Sequence, residues 1–199
     1  MTRVVKFLRR SRNGNSEIFE ETGLDILEQM KAAEAKEADA ETITKAILRR
    51  IDILQNRDKK IKLLHGIARL SHPWVCAVFM ELLADSSEEI RDIAVQELAR
   101  RDDCPIFKIY ERLAHPPWYV KSAILKILSL KKNAEAVRHI QGVIDDPNVE
   151  VKRNAAQALG EIGGKEARTL LVRLSKDSNP YVRTAAVEAL EKICDLKFI

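Results

Sequence analysis

With 199 residues, 46% of them hydrophobic and 32% charged, the chain suits one ordinary folded domain or a short repeat array. A formal charge of +4, set against 34 basic and 30 acidic side chains, does not by itself call for nucleic acid, and no apolar run approaches the roughly 20 residues that cross a bilayer. Seven glycines and six prolines are too few for a turn-rich β protein and fit helices joined by short connections.

The first dozen residues are strongly basic, with Arg3, Lys6, Arg9, Arg10 and Arg12 interleaved with Val4, Val5, Phe7 and Leu8. They lack the long apolar stretch and small-residue cleavage site of a secretory signal. Such a segment could touch an anionic surface, whether membrane or phosphate, or the chain's own Glu17, Glu20, Glu21 and Asp25. A solvated or partner-docking tail is the commoner use. Arg12-Asn13-Gly14-Asn15-Ser16 reads as a turn, and the acidic, alanine-rich residues 17–41 predict a helix around Leu24, Leu27 and Met30. Residues 1–40 are therefore read as an appendage, basic then acidic and partly helical, and 41–199 as the folded array.

The array opens with a divergent helix pair. Residues 41–54 carry an apolar stripe at Ile43, Ile47, Ile51 and Leu54, and residues 59–70 form the second predicted helix. Residues 73–83 predict the first helix of the next pair. A nine-residue phrase then recurs at 90–98, 120–128, 151–159 and 182–190, a period of 30 to 31 residues. Each copy has a β-branched residue first, Lys or Arg next, an apolar residue at +4 and Leu at +8. Between the copies lie further helical rows, namely Ile106, Ile109, Tyr110, Leu113; Ala136, Val137, Ile140, Val143; and Ala167, Leu170, Leu171, Leu174. Each period thus reads as two antiparallel helices, and a fixed period of this length is the signature of a stacked solenoid. One pair has too little core to fold alone. Asp85-Ser86-Ser87-Glu88 has the form of a capping box, Asp146-Pro147 and Asn179-Pro180 put proline at a first helical position, and Gly163-Gly164 supplies a stop, with Gly160 read as part of the same terminator.

Residues 146–163 (Asp-Pro-Asn-Val-Glu-Val-Lys-Arg-Asn-Ala-Ala-Gln-Ala-Leu-Gly-Glu-Ile-Gly) and 177–190 resemble HEAT repeats, closest to the short bacterial and archaeal type also found in phycobilin-lyase-like proteins. The likeness is clearest over 85–193, weaker over 41–84 and absent over 1–40. It implies an all-α fold, an α-solenoid of about four to five stacked helix pairs. It also implies a ladder in which an Asp before each second helix pairs with a basic residue near that helix's start. The candidates are Asp85 with Arg91, Asp146 with Lys152 and Asp177 with Arg183. One repeat departs from the pattern, with His115 at the Asp position and Lys121 at the basic one, so the ladder is expected to break there.

The resemblance implies a binding scaffold, non-enzymatic and without cofactor or metal. Its second helices are expected to line a concave face with positions −1, +2 and +6 of each phrase: Glu89, Asp92, Gln96; Tyr119, Ser122, Lys126; Glu150, Arg153, Gln157; Tyr181, Thr184, Glu188. Trp118 and Tyr119, after His115-Pro116-Pro117, form the sharpest hot-spot candidate for a protein or peptide partner; the alternative for Trp118 is packing on the neighbouring repeat. Competing readings are a phycobilin-lyase-type accessory subunit or a HEAT-like nucleic-acid binder. The carboxylates of Glu89, Asp92, Glu150 and Glu188 disfavour the latter, because they repel phosphate. His65, His72, His115 and His139 show no metal-ligand spacing, and no phosphate loop or nucleophile elbow is present. Cys76, Cys104 and Cys194, without a C-x-x-C pair, are expected as reduced, partly buried thiols of a cytoplasmic protein. The apolar Leu196-Lys197-Phe198-Ile199 is expected either to dock on a partner, a second copy or the appendage, or to fold back over the last helix. Oligomeric state is left open.

Overall fold

The 30- to 31-residue period becomes a row of helices in a computed structural model that describes residues 40–114 and 117–195. The appendage up to residue 39, His115, Pro116 and residues 196–199 lie outside the described residues. The chain clusters into two compact units, 1–79 and 80–199. No described helix is long and apolar enough to cross a membrane.

In the first unit, α1 (Ala40–Ile53) buries Ile47 and Ile51, the inner members of the expected stripe. The Thr44 hydroxyl donates back to the Ala40 carbonyl at 2.7 Å, the usual way a buried helical threonine satisfies itself. In α2 (Arg57–Ala68), Asn56 caps the start by accepting from the Lys59 amide at 3.0 Å, and Leu63, Leu64 and Ile67 are buried. Pro73 opens α3 (Pro73–Leu82), whose Trp74, Val75, Val78 and Phe79 are all fully buried. The turn before it is stabilised by His72, whose Nδ1 accepts from the Trp74 amide at 3.5 Å.

The second unit is built on α4 (Glu88–Arg100), α6 (Trp118–Lys131), α8 (Val149–Ile162) and α10 (Pro180–Asp195). They stack in sequence: α4 on α6, α6 on α8, and α8 on α10. The phrase explains the stack. Its first residues, Ile90, Val120, Val151 and Val182, are buried, as are Ala94, Ile124, Ala155 and Ala186 at +4 and Leu98, Leu128 and Leu159 at +8. Burying such a row in each repeat makes one continuous apolar core from faces too small to stand alone. The described residues are all-α, and the second unit forms a solenoid.

The intervening helices are shorter than the sequence rows suggest. α5 (Ile106–Glu111) and α7 (Ala136–Ile140) each give way to a 3-10 turn, at Arg112–Ala114 and Gln141–Val143, and only α9 (Gly164–Leu174) runs on as α-helix. A 3-10 turn tightens a helix end over the same apolar contacts, so Leu113 and Val143 are still buried.

Local punctuation differs from expectation in three places. No capping box forms at 85–88. Ser87 is the cap residue without a side-chain bond, and the Asp85 carboxylate instead accepts from the Ser87 amide at 2.7 Å. Pro147 precedes the cap of α8, where Asn148 accepts from the Glu150 and Val151 amides at 2.8 and 3.4 Å. Asn179-Pro180 does place proline first in α10, with Asn179 accepting from the Tyr181 amide at 2.9 Å. Gly163 ends α8 at φ 72° and ψ −165°, a region reserved for glycine. Gly160 is no terminator. It lies inside α8, where an added Cβ would sit 2.7 Å from the Cβ of Ala189 and 3.1 Å from its Cα. Cys194 is a free, exposed thiol, whereas Cys76 and Cys104 are buried and are not free thiols, against the expectation of reduced cysteines throughout.

Candidate interaction surface

None of the twelve −1, +2 and +6 positions is buried. Asp92, Gln96, Lys126, Gln157, Tyr181, Thr184 and Glu188 are exposed; Glu89, Tyr119, Ser122, Glu150 and Arg153 are half-buried. The helical period and the burial of 0, +4 and +8 on the opposite side account for this. The strip is internally organised. Lys126 on α6 reaches back to Asp92 on α4 at 2.9 Å, and Arg153 donates to Glu150 one turn earlier at 2.8 Å. Exposed pairs of this kind add little stability, but they neutralise most of the strip's basic charge. Two aromatic residues stand out from it: Tyr181 is 69% exposed and Trp118 47%. Trp118 meets Tyr119 edge to face, with centroids 6.0 Å apart, and the Arg91 guanidinium sits 5.5 Å over the Tyr119 ring. Tyr119 is thereby held in place by the preceding repeat, while Trp118 projects. The Ser122 hydroxyl between them and Lys126 is buried and has no hydrogen-bond partner among the described residues.

The ladder residues are connected differently from the expected six-residue pairs. Arg91 donates to the backbone carbonyls of Asp85 and Ser86 at 2.7 and 3.0 Å, and Arg183 does the same to Asp177 and Ser178 at 2.9 and 2.8 Å. The carboxylates instead receive the base of the preceding repeat: Lys121 donates to Asp146 and Lys152 to Asp177, each at 2.7 Å. The reason lies in the turn. One Asp oxygen accepts from its own i+2 amide, as Asp146 does from Asn148 at 2.9 Å and Asp177 from Asn179 at 2.8 Å. The other oxygen then faces the preceding repeat. The carbonyls of the same turn are left to the residue six positions on, which an arginine fork spans well.

Burial pushes the Asp177 carboxyl up, but its hydrogen bonds from Lys152 and the Asn179 amide, with Coulombic attraction from Lys152 and Arg183, outweigh that and hold it below the usual range. A depressed folded-state value contributes stability above the unfolded value, near 3.9, and loses it as pH falls through the folded one. Wild-type protein should therefore lose urea resistance more steeply below about pH 4 than Lys152→Gln does. Parallel midpoint-against-pH curves for the two proteins would remove any stabilising role for this link.

Sequence reasoning passed over a set of links one period apart. Arg112 pairs with Glu81 and Lys192 with Glu161, each 31 residues apart, and Arg173 with Asp145 at 2.7 Å. Opposite charges separated by the repeat length are the signal that finds the first two; the third spans 28 residues. Tyr110 also stacks on His139, with ring centroids 3.8 Å apart. A groove lined by Ile144, Thr169, Val172, Arg173 and Lys176 lies elsewhere, and no strip residue lines it.

Residues 106–195 match the family described as HEAT repeats. No curated protein matches the chain. Among solved structures, one engineered protein from a structural genomics programme is 19% identical, with 98% of each chain covered and a TM-score of 0.42. A second is 18% identical, covering 98% of this chain and all of that one, with a TM-score of 0.44. A designed armadillo repeat protein is 16% identical over 96% of this chain and 99% of that one, with a TM-score of 0.40.

Proposed function

We infer that this chain, a member of the HEAT-repeat family through residues 106–195, is a non-enzymatic interaction scaffold that binds a protein or peptide along the −1, +2, +6 strip. In this reading residues 41–199 are the binding array and 1–40 an appendage to it. The observation that carries the reading is the pair of exposed aromatics, Trp118 and Tyr181, beside a strip on which Asp92 is paired with Lys126 and Glu150 with Arg153. Aromatic side chains supply large contact area at modest entropic loss and dominate binding energy where they occur. The helices are preformed, so little ordering opposes association. Glu89, Asp92, Glu150 and Glu188 weigh against a phosphate backbone as partner.

The test is a quantitative capture from native cell extract with the full chain, in parallel with Trp118→Ala and Tyr181→Ala. Each should reduce retention of a specific partner by about 30-fold or more, the loss typical of an aromatic anchor. Far-UV circular dichroism should stay unchanged. Equal retention by all three proteins would remove the strip as the binding face, and loss of helicity in Trp118→Ala would make that residue part of the packing.

A further inference from the structure

Each second helix shows one row of residues to the helix that follows it. The row is +1, +5 and +9 of the phrase. Lys121 and Lys152, at +1, reach the Asp of the next repeat, and Gly160, at +9, lies against Ala189 of α10. At +5, Val95, Leu125 and Ala156 are buried, at 2%, 0% and 0% exposure. On α10 the same row is Arg183, Val187 and Glu191, and it is open: Val187 is 44% exposed, and Arg183 and Glu191 are exposed on either side. Leu190, at +8, is half-buried where Leu98, Leu128 and Leu159 are fully buried. Among the described residues nothing covers this face.

Its composition tells what fits there. Where one repeat stacks on the next, the +9 residue is small, Ala99, Ser129 or Gly160, and the backbones come close. Glu191 at that position blocks so close an approach and brings a charge that repeat stacking leaves unmatched. The row Arg183, Val187, Glu191 has its charges of opposite sign at equal distances, one helical turn to each side of the apolar centre. An antiparallel copy of α10 related by a two-fold axis through Val187 therefore sets Val187 against Val187 and Arg183 against Glu191, twice. An isologous contact needs this self-complementarity. The groups are available. Arg183 donates through Nη1 to its own turn carbonyls and attracts the Asp177 carboxylate, and Glu191 is exposed.

We propose that the Arg183–Val187–Glu191 face of α10 is a self-association surface that pairs antiparallel with the same face of a second copy of this chain. On α10 this face flanks the −1, +2, +6 strip, since Thr184 and Glu188 stand one helical turn from Val187 and Glu191; the strip positions on α4, α6 and α8 stay outside the contact, so dimerisation would present two such sets at once and raise avidity for a repetitive partner.

Sedimentation equilibrium of the full chain across a concentration series tests this. Wild type should show a reversible monomer–dimer equilibrium. Val187→Glu should sediment as a monomer with unchanged circular dichroism. Arg183→Glu and Glu191→Arg should each weaken dimerisation by about tenfold or more, and the double swap Arg183→Glu with Glu191→Arg should restore it. A wild-type monomer at high concentration overturns the proposal, as does a dimer untouched by Val187→Glu. Failure of the double swap to restore association would rule out the antiparallel pairing and leave a different helix, or residues 196–199, as the cover.

Discussion

Replacing Leu159 with alanine should lower the free energy of unfolding by about 2–5 kcal/mol, the range for a fully buried leucine truncated in a core. Leu159 is wholly inaccessible and sits on α8, which packs on second helices to both sides, α6 and α10, and on α9 as well. A cavity there has rigid walls on three sides and little room to collapse, which favours the upper part of the range. In a repeat array stability is close to a sum of repeat and nearest-neighbour terms, so a central loss weakens two interfaces. Urea unfolding followed by circular dichroism measures the effect. The control is Leu190→Ala, the same phrase position on α10, where the side chain is only half-buried. Its loss should be clearly smaller. Equal losses at the two sites would mean that the phrase position alone, and not the neighbouring helix, sets the energy.

The second large effect is expected from adding a single methyl group. Alanine is worth about 1 kcal/mol more than glycine inside a helix, so Gly160→Ala on an isolated α8 would stabilise it. In the folded chain the new Cβ meets Ala189 at 2.7 Å, and the next nearest atom, at 3.1 Å, is backbone Cα. Neither can swing aside, and overpacking of this kind costs roughly 1–3 kcal/mol. The net expectation is a destabilised protein with a lower thermal midpoint. Ala189→Gly in the same chain should recover most of the loss, since it removes the opposing methyl, and the double-mutant cycle should give a coupling well above the few tenths expected of independent sites. A Gly160→Ala protein more stable than wild type would show that α8 and α10 separate without penalty.

The fold was legible because the period was. Burial of Ile90, Val120, Val151 and Val182 follows from side chains every 3.6 residues and faces every 31, and both periods are written in the sequence. The solvent side of the strip followed by subtraction. What escaped was the direction of each link. Asp146 and Lys152 lie six apart, a distance that matches the expected ladder, yet the carboxylate faces Lys121, because its other oxygen is engaged by the Asn148 amide. Spacing along the chain does not record which oxygen is taken. Gly160 was misread for a related reason: a glycine three residues before Gly163-Gly164 looks like part of a stop, and only the neighbouring helix shows that it makes room for Ala189. Tyr119 and Trp118 are adjacent in sequence, and their different exposure is set by Arg91, 28 positions away.

The Lys121–Asp146 and Lys152–Asp177 links share one geometry, 25 residues from donor to acceptor, and each spans a repeat boundary. Such a fastening is indifferent to which repeat supplies either half. Excising or duplicating the period that begins at Asp146 leaves each lysine facing an aspartate, whereas a change of any other length strands a buried carboxylate without its cation. That stretch can therefore lengthen or shorten in units of one period without a compensating substitution, and the number of strip positions becomes a quantity that can vary while the joints between them stay the same.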